Sequence, residues 1–156
     1  MKKNIIYIIA IICIVGFVSG FLTYLYINEV NALNDMTISV RAVTLDELRF
    51  TYSRLKVVVE FTNPSSLGLS DVSSWFDVYI ANTVVGNGSF SNFDIDAKFT
   101  SSKEVYITVY HADVADAVID AIENHNFDLT IEGTVRQKVL FDILTVTKPF
   151  TATYSY

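Results

Sequence analysis

Residues 5–27 form an apolar run without a charged side chain, and this run decides the architecture of the N-terminal part of the chain. As an α-helix the 23 residues would measure about 35 Å at 1.5 Å per residue. That length exceeds the roughly 30 Å hydrocarbon core of a bilayer. Tyr7 lies near one end of the run, and Tyr24 and Tyr26 near the other, where interfacial aromatic residues are found. The sequence predicts a transmembrane helix over residues 5–27.

The charges on either side of this run predict its orientation. Lys2 and Lys3 precede it, whereas Glu29 and Asp35 are the first charged residues after it. The positive-inside rule therefore makes residues 1–4 a cytoplasmic N-terminus and places the remainder outside the cytoplasmic membrane. We expect a short polar linker over residues 28–35 and a single exported domain over residues 36–156.

A cleaved secretory signal is the alternative, because residues 18–20, Val-Ser-Gly, end in small residues after an apolar stretch of suitable length. Apolar residues continue beyond that site as far as Ile27, which favours a retained anchor. Gly16 and Gly20 form a small-xxx-small pair and are the candidate helix–helix contact. The single cysteine, Cys13, follows two isoleucines rather than the small residue that a lipoprotein signal requires.

Cysteine usage and charge exclude several classes of function. One cysteine cannot close an intrachain disulfide, and it cannot supply the paired thiolates of a structural zinc or redox centre. The 17 acidic residues exceed the 11 basic ones, for a net charge of -6. A nucleic-acid partner needs clustered cations and is not expected.

Apolar and polar residues alternate along most of the exported part. In one example, Leu55, Val57, Val59 and Phe61 are separated by mostly polar residues, which is typical of a half-buried strand. About seven such segments predict a mainly β sandwich or barrel. One segment, residues 112–124, instead has the spacing of an amphipathic helix. Its apolar stripe is Val114, Ala117, Val118, Ala121 and Ile122, and its acidic face is Asp113, Asp116, Asp120 and Glu123.

The order of these features resembles the late embryogenesis abundant type 2 family, also called the water-stress and hypersensitive-response (WHy) domain. The resemblance rests on VVVEFTNPSS with Asn63 and Pro64, on WFDVYIANTVVGNGSFS with Gly86 and Gly88, and on NFDLTIEGTV with Gly133. The segments FTSSKEVYITVYH and VTKPFTATYS complete the order, and together they cover nearly all of the exported part.

The resemblance implies an immunoglobulin-like or fibronectin-like β-sandwich with one inserted helix, no enzymatic activity and no cofactor. It also implies a role in desiccation or osmotic stress protection or in envelope maintenance. The physical roles of the motif residues follow from their chemistry. We expect Pro64 to end a strand, the Asn63 side chain to bond the turn, and the glycines at positions 86 and 88 to permit a bulge or a positive φ.

Two alternative functions stay open: a structural or interaction subunit of a membrane-anchored surface assembly, as a homo-oligomer or filament, and an apolar-ligand or lipid-binding module. The last strand could pair with a neighbouring molecule if it lies at a sheet edge.

The remaining polar residues give little sign of chemistry. His111 and His125 flank the predicted helix without a nucleophile motif, so we predict no catalytic residues. Asp94 and Asp96 offer oxygen ligands but lack the glycine and the glutamate of a calcium loop, so we predict no metal site. Asn87 begins an Asn-Gly-Ser sequon in a predicted exposed turn and is the candidate glycosylation site.

Overall fold

The computed structural model describes the backbone of residues 2–156 and the side chains of residues 5–156, so the side chains of the predicted cytoplasmic segment, residues 1–4, lie outside it. The chain begins with a long helix and continues through seven strands, with a short helix before the sixth. In order, the elements are α1 (Lys2–Asp35), β1 (Thr37–Leu48), β2 (Tyr52–Asn63), β3 (Leu69–Ile80), β4 (Thr83–Ile95), β5 (Phe99–Tyr110), α2 (Asp116–Glu123), β6 (Asp128–Val139) and β7 (Leu144–Ser155).

The strands form two antiparallel sheets, one in the order β1-β2-β5 and the other in the order β4-β3-β6-β7. The predicted mainly β sandwich, with one inserted helix and a preceding apolar helix, is confirmed. In this division the fourth strand pairs with the third. In an immunoglobulin constant domain the fourth strand pairs instead with the fifth.

The core lies between the sheets and follows the alternation of the sequence. In β2, the predicted apolar positions Leu55, Val57, Val59 and Phe61 are all fully buried, and the positions between them are half-buried. The facing sheet contributes Phe76, among others. Burying an aliphatic or aromatic side chain of this size contributes about 1.5–3 kcal/mol, so each of these positions stabilises the sandwich.

α1 does not end where the apolar run ends. The predicted linker, residues 28–35, forms the last turns of the same helix, which stops at Asp35. Its polar residues suggested an irregular segment, but residues 21–36 contain neither glycine nor proline, so nothing in the chain breaks the helical backbone there.

α2 is shorter than the predicted helix over residues 112–124. Val114 and Ala115 have extended backbones and divide the segment into a 3₁₀ turn, His111–Asp113, and the α-helix that begins at Asp116. From the predicted apolar stripe, Val118 and Ile122 are buried and Ala117 is exposed.

Candidate functional site

The last turns of α1 pack onto one end of the sandwich. Ala32, Leu33 and Met36 are buried there. The turns that follow β2, β4 and β6 lie at this same end, because antiparallel strands return to it after each hairpin. We call it the proximal end and the opposite end, with the 3₁₀ turn and α2, the distal end.

Two polar contacts reinforce the packing of α1. The backbone N–H of Leu140, in the β6–β7 turn, donates to Glu29 Oε2 at 2.7 Å. Lys148 Nζ, on β7, donates to the carbonyl oxygen of Asn34 at 2.6 Å and to that of Met36. These carbonyls lie at the negative end of the helix dipole, where a cation is stabilised. The sandwich is therefore attached to α1 at two heights along the helix.

The surroundings of Lys148 alter its proton affinity. Partial burial lowers the pKa of its ammonium group, and the nearby Asp35 carboxylate opposes that change. The ammonium group gives up part of its hydration for the carbonyls of Asn34 and Met36, so it acts as a cap for the end of α1.

A cavity of about 450 Å³ lies between the final turns of α1 and the β2–β3 turn. Its walls combine apolar surface with amides and carboxylates. The lining residues are Tyr24, Leu25, Asn28, Glu29, Asn31, Ala32, Asp35, Ser65, Ser66 and Leu67.

The side chain of Asn63 is almost fully buried at the proximal end. Its Nδ2 donates to the carbonyl of Leu67 at 2.9 Å and to that of Asp96 at 3.1 Å. Its Oδ1 accepts the backbone N–H of Ser65 at 3.0 Å. Asn63 thus joins the β2–β3 turn to the β4–β5 turn, as well as bonding its own turn as expected. β2 ends at Asn63, immediately before Pro64.

The motif glycines make room for neighbouring atoms. Gly88 and Gly133 are the register partners of Phe76 on its two sides. A Cβ at Gly88 would lie 2.5 Å from the Phe76 ring, and one at Gly133 would lie 2.4 Å from the backbone oxygen of Trp75. At Gly86 the closest atom would be Cγ2 of Ile107, at 2.7 Å.

The expected bulge is present, because the register of β4 shifts next to Gly86, between the pairs Val78–Gly86 and Tyr79–Val84. The expected positive φ is not found at any glycine in the described part of the chain. Glycine is needed at these positions because Phe76 and Ile107 pack so closely against the backbone that a Cβ would not fit, and not because the backbone angle is unusual.

At the distal end, the structure brings together a serine and a histidine that the sequence did not connect. Ser53 Oγ lies 2.8 Å from His111 Nε2, and His111 Nδ1 lies 3.2 Å from the carbonyl oxygen of Phe50. This arrangement has the connectivity of a nucleophile–base pair. Ser53 is fully buried, however, so its hydroxyl ties β2 to the start of the 3₁₀ turn and is closed to a substrate.

The other predicted positions are dispersed. His125 is exposed and stacks edge-on against Tyr156 at 4.9 Å between ring centroids. Asp94 Oδ1 accepts the backbone N–H of Asp71 at 2.9 Å. No group of three or more His, Cys, Asp or Glu side chains within residues 5–156 is placed to hold a metal ion.

The two surface candidates are both accessible. Asn87 is exposed, but it lies within β4 opposite Asp77 and not in the predicted turn. Gly16 and Gly20 face open space on the surface of α1. The acidic face of the short helix segment is exposed at all four positions: Asp113, Asp116, Asp120 and Glu123.

Sequence reasoning did not identify Glu29, Leu140 or Lys148 as the residues that join helix and sandwich. One signal was present: Lys148 occupies an apolar position in the alternation of β7, between Val146 and Phe150. A lysine on the buried side of a strand needs acceptors, and here the carbonyls at the end of α1 supply them. Within the described residues, α1 is also the single helix long and apolar enough to cross a membrane, over Ile5–Asp35.

No family model and no curated protein matches the chain. Among solved structures it is similar to AT1g01470 from Arabidopsis thaliana, with a TM-score of 0.60 and 18% identity over 76% of this chain and 79% of that one. A protein provisionally described as late embryogenesis abundant, At2g46140.1, matches with a TM-score of 0.48 and 12% identity over 91% of this chain and 83% of that one. A protein from Archaeoglobus fulgidus matches with a TM-score of 0.45 and 6% identity over 76% and 98%. The similarity to AT1g01470 is a likeness of fold.

Proposed function

We propose that the chain is a non-enzymatic, single-pass membrane protein that presents its β-sandwich on the outer side of the cytoplasmic membrane and protects the cell envelope under desiccation or osmotic stress. The observation that carries the proposal is the junction at the proximal end. α1 continues without a break into a docked segment, held by the burial of Leu33 and by the contacts of Glu29 and Lys148.

The distribution of apolar surface favours a retained helix over a cleaved signal. Cleavage after Gly20 would leave a helical stump bearing Phe21, Leu22 and Ile27, all of which are exposed in the structure. A soluble protein seldom carries such a contiguous apolar patch, because it promotes aggregation. A bilayer covers that surface in the proposed arrangement.

The stress-related part of the proposal comes from the resemblance to the late embryogenesis abundant type 2 family. The burial of Ser53 removes the Ser53–His111 contact as a candidate nucleophile–base pair, in keeping with a non-enzymatic role. A protective role needs only a stable surface held close to the membrane, and the docked end of α1 provides that.

Intact-mass spectrometry of the protein purified from membranes of its native host tests the anchor. A mass equal to that of the whole chain is expected, and additional sugar mass would show that Asn87 faces outside. A mass lacking about 20 N-terminal residues, the length of a secretory signal, would overturn the anchor. Unchanged survival of a deletion strain after drying and osmotic shock would overturn the stress role.

A second candidate function, as a subunit of a surface assembly, is favoured by two observations. Gly16 and Gly20 leave room for a second helix against α1, and β7 is an outer strand of its sheet. Light scattering of the full-length protein in detergent would show a dimer or larger species that Gly16→Leu disrupts. A monomer at all concentrations would contradict this function.

A further inference from the structure

We propose that the tip of the β6–β7 hairpin, residues 140–143, enters the interfacial layer of the membrane that α1 crosses and so forms a second membrane contact. The inference rests on the proposed anchoring of α1. It assigns the exposed apolar side chains at this tip to one occupant, the lipid headgroup and acyl-chain boundary.

The first argument is the position of the hairpin along α1. Lys148, in β7, contacts the carbonyls at Asn34 and Met36, whereas Leu140, at the turn, contacts Glu29. Glu29 precedes Asn34 by about 7.5 Å of helix at 1.5 Å per residue. The hairpin therefore descends beside α1 toward its apolar run.

The second argument is the height of the tip. Glu29 follows Ile27, the last residue of the apolar run, by two residues, or about 3 Å of helix. Tyr26 and Tyr24 precede Glu29 by about 4.5 Å and 7.5 Å of helix, in the region where aromatic side chains mark the membrane–water boundary. The turn at Leu140 thus lies close to the level at which α1 leaves the bilayer.

The third argument is the chemistry of the tip. Phe141 is 73% exposed and Ile143 is 77% exposed, and the neighbouring Leu144 is also exposed. Successive positive φ angles of 52°, 57° and 67° at Leu140, Phe141 and Asp142 form the turn that presents them. The Asp142 carboxylate between the apolar residues limits the depth of insertion to the headgroup region, because a charge is costly deeper in the bilayer.

An environment-sensitive fluorophore can test the contact in the full-length protein reconstituted into phosphatidylcholine nanodiscs. The labelled variant is Ile143→Cys in a Cys13→Ser background, which removes the native cysteine. The expected result is a blue-shifted emission that is quenched by lipids carrying a quencher near the headgroup. The matched control is Phe50→Cys in the same background, because Phe50 is 98% exposed and lies in the distal β1–β2 turn. Its emission should be neither shifted nor quenched.

The outcomes separate this inference from the proposed function. The wild-type protein labelled at Cys13 reports on the anchor, and lipids with a quencher deep in the acyl chain should quench it. Quenching at Cys13 with an unshifted, unquenched label at position 143 would overturn the hairpin contact alone. A blue shift at position 143 without lipid quenching would mean that protein, not lipid, covers the tip. That result would also overturn the hairpin contact. No quenching at Cys13 would overturn the anchor itself.

Discussion

At the proximal end of the sandwich, α1 buries Ala32 and Leu33 and is bonded to the turn and strand beside it, whereas at the distal end α2 buries Val118 and Ile122. The proximal contacts join side chains to backbone groups of distant segments. α2, in contrast, spans eight residues and has no side-chain bond at its N-cap.

Polar groups also differ between the two ends. At the proximal end, the hydrogen-bonded side chain of Asn63 is buried. At the distal end, Glu47 forms ion pairs with Arg49 at 2.7 Å and with Arg54 at 3.3 Å, and these side chains are partly open to solvent. Exposed ion pairs contribute little to stability. We expect the short helix α2 to unfold locally and the proximal end to open only with the whole domain.

The largest test of this difference is Leu33→Ala. Truncation of a fully buried leucine leaves a cavity and costs about 2–5 kcal/mol. We expect the free energy of unfolding of the whole domain to fall by that amount in detergent, as measured by thermal or denaturant unfolding.

Ile122→Ala is the matched variant at the distal end, because Ile122 is equally buried. We expect it to accelerate hydrogen exchange mainly within α2 and to lower the global stability less than Leu33→Ala does. Equal losses of global stability would show that both ends belong to one cooperative unit, contrary to the comparison.

Asn63→Ala should have the next largest effect. It removes three hydrogen bonds, to Ser65, Leu67 and Asp96, made by a side chain that is itself almost fully buried. We expect a loss of about 2 kcal/mol, because each such bond contributes about 0.5–1.5 kcal/mol. At the distal end, Ser53→Ala should cost about 1 kcal/mol or less, because the partly exposed His111 can bond water instead. A larger loss for Ser53→Ala would reverse the order.

The strands could be predicted from the sequence because their signal is local. Alternation with period two identified the buried face of β2, and spacing along the helix identified Val118 and Ile122. The start of α2 was wrong because Val114 and Ala115 continue the apolar pattern of the helix while their backbones are extended. Periodicity describes which side chains share a face and does not determine where the backbone turns.

The junction could not be predicted because its contacts are distant in the sequence. Glu29 and Leu140 are 111 residues apart, and Lys148 and Asn34 are 114 apart. Composition alone made residues 28–35 look like a linker, since polar residues are common both in linkers and on exposed helix turns. Only the folded sandwich supplies the surface that buries Leu33.

Lys148→Met should have a smaller effect and a characteristic pH dependence. At neutral pH we expect a loss of about 1 kcal/mol from the missing bonds to the end of α1. Burial lowers the pKa of Lys148 in the folded state, so the unfolded chain keeps this proton up to about pH 10.5 while the folded protein releases it earlier. The contribution of this group to stability therefore rises with pH through that window.

Denaturant unfolding between pH 7 and pH 10 measures this slope in the wild type and in Lys148→Met. The variant should lack the part of the alkaline rise that comes from Lys148. Lys98→Met, which removes an exposed lysine from the proximal β4–β5 turn, controls for the loss of a positive charge. An identical slope in wild type and Lys148→Met would contradict the assigned role.

Glu47→Gln should give the smallest effect, confined to acid pH. The hydrogen bond from Arg49 lowers the pKa of the Glu47 carboxyl, and the Tyr52 hydroxyl and the Arg49 and Arg54 charges act in the same direction. A lowered folded-state pKa gives a stabilisation that is present above about pH 4.5 and is lost as the pH falls through the folded value. At low salt, the melting temperature measured from pH 7 to pH 3 should decline less steeply in Glu47→Gln than in the wild type. High salt should reduce this difference, because the charges are partly solvated and salt screens them. Parallel declines would mean that the Glu47 carboxylate makes no measurable contribution to the stability of the distal end.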